Sequence, residues 1–177
     1  MTIHIGAKPD SGFDDPIGML KDCHRRIERF LGILCQVVRQ AGGRALNQEE
    51  RQAVEAALHY FRESGPRHNR DEEESLFPRM ICREVSAVVD DVHRLEADHR
   101  EAATLHTEAD QLYSQWAAGG RLAGDEETRL LTITEKLESI YTGHIRLEED
   151  VVFPCAAHAL DRSDLAAMGA EFAARRR

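Results

Sequence analysis

The sequence has no apolar run near the roughly 20 residues that cross a bilayer, so no membrane span is expected. Its first segment, MTIHIGAKPDSGFDD, lacks the apolar stretch that follows the basic end of a secretory signal. A basic face is missing too: 32 acidic residues outweigh 23 basic ones, for a net charge of −9 at pH 7. Phosphate backbones and anionic lipids attract clustered positive charge, so neither nucleic acid nor a membrane surface is expected as a partner. The one basic cluster, Arg175-Arg176-Arg177, reads as a solvated tail. Lysine is scarce, a habit of composition that says little about function. The cysteines Cys23, Cys35, Cys82 and Cys155 show no paired spacing, which excludes a disulfide frame or a zinc ribbon as the organising device. They read as free thiols of a cytoplasmic chain. Strand signals are almost absent, with no sustained alternation of period two.

What remains is helix. The 177 residues are enough for one ordinary domain, and 42% hydrophobic residues can bury a core. A first helix is expected from Asp15-Pro16, where Asp suits the N-cap and Pro the first helical position, to Gly42-Gly43. Its apolar stripe reads Ile17, Leu20, His24, Ile27, Leu31, Leu34, Val38, in steps of three and four. A second segment opens near Asn47 and carries Val54, Leu58 and Phe61. It is interrupted at Ser64-Gly65-Pro66, because Pro66 offers no amide proton, and resumes through His68, Glu72 and Leu76 to Phe77-Pro78. A third runs from about Ser86 to Ala118, with the face Val88, Val92, Leu95, His99, Ala102, His106, Tyr113. A fourth follows Gly124, with Asp125 as cap, and continues to about Val152; its face is Leu130, Ile133, Leu137, Ile140, His144, Glu148, Val151. A shorter helix near Ser163–Arg175 closes the chain. The expected fold is all-α: an antiparallel up-down-up-down four-helix bundle with a short additional C-terminal helix. In domain terms, residues 1–13 form an N-terminal arm, 14–158 the bundle, and 159–177 the C-terminal helix and basic tail.

The sequence repeats itself. His68-Asn-Arg-Asp-Glu-Glu-Glu-Ser-Leu-Phe-Pro78 aligns without a gap to His144-Ile-Arg-Leu-Glu-Glu-Asp-Val-Val-Phe-Pro154, 76 residues later. Both read His, three residues, Glu-Glu, three residues, Phe-Pro. With only 6 Phe and 5 Pro in the chain, two Phe-Pro pairs in matched frame are not coincidence. Asp22-Cys23-His24-Arg25 sits 75 residues before Ala97-Asp98-His99-Arg100, so the whole helix pair occurs twice, with a His at corresponding depth on each helix.

A His and a Glu four residues apart share one helical face and can chelate a metal. The pairs His68/Glu72 and His144/Glu148 continue apolar stripes, as do His24 and His99. Four imidazoles and two carboxylates are therefore expected to converge inside the bundle. Unpaired buried carboxylates are costly, and two close together repel; a cation removes both penalties. A lone His on an apolar face is more often a core residue than a ligand, and it is the tandem set of six that favours metal. Two carboxylates able to bridge, with two imidazoles for each ion, suit a dinuclear site. The ligand types favour iron, manganese or zinc over calcium or magnesium.

These residues resemble the hemerythrin-like, or HHE cation-binding, family, marked by a His on the first and third helices and His-x3-Glu followed by Phe-Pro on the second and fourth. The resemblance covers about residues 14–158. It implies a four-helix bundle around two iron ions joined by an oxo or hydroxo bridge. The ligands it implies are His24, His68, Glu72, His99, His144 and Glu148, with Glu72 and Glu148 bridging. The chain departs from the oxygen carriers of the family, which have a His-x3-His pair on the third helix; here Leu95 and Ala103 flank His99. Their last ligand is an Asp five residues after its His, the place of Glu149, whereas Glu148 is better placed here. The branch that repairs iron–sulfur centres has an extra His in the first hairpin, where this chain has Ala45.

His59, His93 and His106 are the candidates for a fifth nitrogen, although His106 lies roughly 10 Å along the axis from His99. His4 and His158 read as exposed, Tyr141 as a packing residue, and Glu96 with His99 as an accidental Glu-x-x-His. The expected function is that of a non-haem di-iron protein meeting O2, NO or peroxide in a sensing, scavenging or stress-response role. The alternative is a non-catalytic metal-binding module for iron sensing or delivery that acts through a protein partner. No nucleophile–base pair is recognisable, so hydrolysis by side chains is not expected.

Overall fold

The computed structural model describes residues 10–82 and 88–177. All regular structure among them is helical. The expected start of the third helix at Ser86, and His4, lie outside the described residues.

Helix α1 (Pro16–Ala41) starts where a carboxylate can take a free amide: the Asp15 side chain accepts from the Gly18 N–H at 2.9 Å. It stops at Gly42, whose φ of 54° is left-handed backbone that glycine adopts without strain. Helix α2 (Gln48–Glu63) opens with a reciprocal cap between Asn47 and Glu50. The break expected at Pro66 is mild. Helix α3 (Gly65–Asp71) begins at once, with Pro66 in the first turn, where no amide is needed. Hydrogen bonds from Ser64 N–H to the Tyr60 carbonyl and from His68 N–H to the Ser64 carbonyl carry the chain through.

Next comes a wide π turn, Glu72–Leu76, in which the Phe77 N–H reaches the Glu72 carbonyl five residues back. Helix α4 (Phe77–Cys82) follows, so the segment continues past the expected end at Phe77-Pro78. Helix α5 spans Val89–Ala117 and α6 spans Gly124–Leu147. Asp125 does not cap α6; Glu126 does, by accepting the Ala123 N–H at 2.9 Å. A second π turn, Glu148–Val152, leads into α7 (Phe153–Ala159) and α8 (Arg162–Ala174).

The two π turns sit at identical places in the repeat, and proline explains both. Pro78 and Pro154 have no amide to give, and each ring would press on the carbonyl four residues earlier. A wider turn relieves that collision and shifts hydrogen bonding to the five-residue pattern.

Helix α1 packs on α2 and α6, and α5 packs on the same two, so the four close a ring. The predicted stripes face inward: Leu20, Ile27, Leu31, Leu34 and Val38 are buried, as are Val54, Leu58 and Phe61. The core is in two parts. One apolar cluster runs from Ile27 to Ile145 and includes Tyr113 and Trp116; the other joins Leu20, Leu76, Phe77, Leu95, Val152 and Phe153 to Met168 and Phe172 of α8. Each stripe changes cluster at its histidine: His24 falls between Leu20 and Ile27, His99 between Leu95 and Ala102. A polar layer is thus sealed between two hydrocarbon plugs.

The C-terminus corrects the sequence reading. Arg175 and Arg176 are not a solvated tail. Arg175 Nη1 donates to Asp71 Oδ1 at 3.0 Å and Arg176 Nη2 to Asp71 Oδ2 at 2.6 Å. Helix α8 is also held close elsewhere: a Cβ on Gly169 would stand 1.9 Å from the Phe13 carbonyl oxygen.

Candidate metal centre

The polar layer holds His24, His68, Glu72, His99, His144 and Glu148, all buried. The structure brings together every one of the six residues singled out from the repeat. They form two sets of donors, His24, His68, Glu72 and Glu148 in one, and Glu72, His99 and His144 in the other, with donor atoms in each set within 4.8 Å of one another.

Glu72 belongs to both. Its Oε1 lies 3.2 Å from His68 Nε2 and 3.9 Å from His24 Nε2, while Oε2 lies 3.4 Å from His99 Nε2. Glu148 spans the sets as well, with Oε2 3.0 Å from His24 Nε2 and 3.4 Å from His144 Nε2. His99 Nε2 and His144 Nε2 approach to 3.1 Å. The π turns contribute here: each places its Glu at the first widened position, one turn after the chelating His.

These atoms are close yet unsatisfied. Both oxygens of Glu72, both of Glu148, and His24 Nε2 are buried without a hydrogen-bond partner. Buried polar atoms are almost always paired, and an uncompensated buried carboxylate costs several kcal/mol. Two buried carboxylates left without hydrogen bonds, facing four imidazoles across one layer, have the chemistry of a cation site, so the residues present fit a metal.

Three of the four outer ring nitrogens, by contrast, face a carboxylate. His24 Nδ1 meets Glu149 Oε1 at 2.9 Å, His99 Nδ1 meets Glu73 Oε1 at 2.7 Å, and His144 Nδ1 lies 3.5 Å from Asp98 Oδ2. A carboxylate on the outer nitrogen fixes the ring so that Nε2 faces inward, and makes that nitrogen a better donor. His68 Nδ1 is buried with no such partner. Sequence reasoning missed Glu73, Glu149 and Asp98 in this role. The signal was the Glu-Glu doublet in both copies of the repeat: the first Glu turns in, and the second grips a histidine on another helix. Glu149 is also tied to Arg25.

Protonation shows how strongly these groups interact without a cation. Burial opposes charge on His24, but Glu148 and Glu72 override it and push the imidazole up to about 10. His99 rises to about 10 in the same way, through Glu72 and Glu73. Burial pulls His68 down to about 4 and His144 down to about 3. Burial, and then the charge of Glu72, pushes Glu148 up to about 8. Glu72 itself is held well below its usual range, since His68, His24 and His99 outweigh its burial. A metal entering this layer displaces protons.

The sequence matches the family model of the Hemerythrin HHE cation binding domain over residues 15–156. The chain belongs to this family. The matched span contains all six inward donors and the three outer carboxylates, and ends before α8. The hemerythrin-like chain is also 28% identical, over 170 residues, to a Haemophilus influenzae protein described as uncharacterized; the likeness covers 93% of this chain and 91% of that one. Family and geometry together point to metal binding.

Among the described residues, the remaining histidines are not part of the buried donor sets. His59, His93 and His158 are exposed. His106 is engaged elsewhere, with Nε2 3.0 Å from the Tyr141 hydroxyl. Tyr141 is therefore more than a packing residue, although its bond goes to His106 and not to a donor of the cluster. No described helix is long and apolar enough to cross a membrane.

Proposed function

We propose that the chain is a non-haem di-iron protein whose metals meet O2, NO or peroxide in sensing, scavenging or a stress response. In this reading residues 14–158 form an up-down-up-down four-helix bundle, and the ligands are His24, His68, Glu72, His99, His144 and Glu148. The observation that carries it is the doubly shared carboxylate pair: Glu72 and Glu148 each reach histidines of both donor sets and have no other partner. Two imidazoles per ion with two shared carboxylates would leave positions free on a bound metal. Bound there, iron would supply those positions and the electrons for redox chemistry. The protein supplies a dry layer, oriented rings and balancing charge.

The test is direct. Protein purified from iron-fed cells should hold about two irons per chain and show visible bands that shift with azide, NO or peroxide. Replacing His68 or Glu148 with Ala should remove most of the metal, while His59→Ala should leave it in place. Firmly held metal with no small-ligand response would replace this reading with metal storage or delivery through a protein partner. A metal-free, colourless protein would end it.

A further inference from the structure

Next to the polar layer lies a cavity of about 440 Å³ lined by residues of α1, α2, α3, α5 and α6. Its position follows from the helical repeat. Phe61 lies two turns before His68, His106 two turns after His99, and Tyr141 one turn before His144, and all three line it. A water occupies about 30 Å³ of liquid volume, so O2, NO or peroxide would fill only a small part of this space. Cavities of roughly 300–1,000 Å³ are the usual size for organic ligands.

The walls define the guest. Leu34 and Leu58 add hydrocarbon beside three rings: Phe61 and His106 have centroids 4.5 Å apart, His106 and Tyr141 5.7 Å, and Phe61 and Tyr141 6.5 Å. Such walls favour a flat ring that can stack or meet an edge. The charges at the rim are already spent on each other. Arg62 Nε donates to Asp110 Oδ1 at 2.7 Å, and Nη2 reaches Asp110 Oδ2 at 3.0 Å and Ser114 Oγ at 2.7 Å. Burial drops the His106 imidazole to about 4, so it is neutral at pH 7. The bond between Tyr141 Oη and His106 Nε2 uses one of the hydroxyl's hydrogen-bonding directions and leaves another to give or accept.

We propose that this cavity binds a neutral single-ring phenol, its ring packed against the wall of Phe61, His106 and Tyr141 and its hydroxyl on the Tyr141–His106 pair. The inference deepens the di-iron reading by giving the centre an organic neighbour, and rests on that reading only for what the phenol would do at the metal. Binding belongs to the scaffold.

Calorimetric titration of the purified protein with phenol, at measured metal content, tests it. Saturable one-to-one binding is expected, with benzoate much weaker because its charge would find no free cation. Tyr141→Phe should weaken phenol about fivefold to tenfold, the effect of one hydrogen bond. Ala103→Trp, which projects a large ring from the exposed rim into the space, should abolish binding while thermal stability and metal content hold. Non-saturable binding, or phenol affinity unchanged in Ala103→Trp, overturns the proposal. A metal-free preparation that still binds phenol supports the cavity and sinks the di-iron reading; a di-iron preparation that ignores phenol does the reverse.

Discussion

Replacing Arg175 and Arg176 together with Ala should destabilise the protein by about 3 kcal/mol, the low end for stranding a buried charge. Asp71 decides this. Its side chain is 1% exposed, and its two oxygens are taken separately by the two guanidiniums at 3.0 and 2.6 Å. Arg175 and Arg176 are 14% and 24% exposed, so screening is partial and the upper range is not expected. Removing both cations leaves a carboxylate with neither water nor partner, directly before Glu72. In a chain of this length about 3 kcal/mol corresponds to a fall in Tm of roughly 6–12 °C. Denaturant unfolding should show a lower midpoint at unchanged slope. Adding Asp71→Asn to the double variant should recover about 1–2 kcal/mol, since the stranded charge is then gone. A double variant within about 0.5 kcal/mol of the parent, or no recovery with Asp71→Asn, would refute the reasoning and return the arginines to solvent.

Two further outcomes follow from other contacts. Glu73→Ala and Glu149→Ala should each weaken metal binding about 10- to 100-fold without changing the number of sites, measured by competition with a chelator of known affinity; unchanged affinity would show that the rings are held by packing alone. Burial lowers His106 from its ordinary 6.5 to about 4, so between those values the unfolded chain takes up a proton that the folded one refuses, and stability falls as pH falls. His106→Leu should therefore show a shallower loss over this window, by at most about 1.4 kcal/mol per pH unit, in urea midpoints recorded on metal-free protein; parallel curves would count against it.

The helices and the six inward donors were legible because both are written locally. The stripe Leu20, His24, Ile27, Leu31 shows its burial in its spacing, and the His-x3-Glu pair shows its chemistry within one turn. Doubling strengthened the inference: one copy alone reads more readily as a core histidine, while two copies in one register favour a shared site. Other features required knowledge of what packs where. Arg175 and Arg176 look like any charged chain end until α8 folds back onto Asp71, some hundred residues away in the chain. His106 and Tyr141, on different helices, become a pair only once α5 and α6 are in register. The Phe-Pro pairs were seen as punctuation and turned out to be mechanical: a proline without an amide widens the preceding turn, and that turn carries the carboxylate.

The doublets also explain why the repeat works as one unit and not as two independent sites. Glu73, from the first copy, orients His99 of the second, and Glu149, from the second, orients His24 of the first. The inward donors are crossed in the same way. Three donors of one set come from the first half and Glu148 from the second, while the other set joins Glu72 from the first half to two histidines of the second. Asp98 faces His144 within the second half, but neither half supplies a partner for every one of its rings or a whole donor set from its own residues. The converged donors therefore exist only once all four long helical segments have closed around the layer, and the affinity of any cation bound there would become part of the stability of the whole bundle.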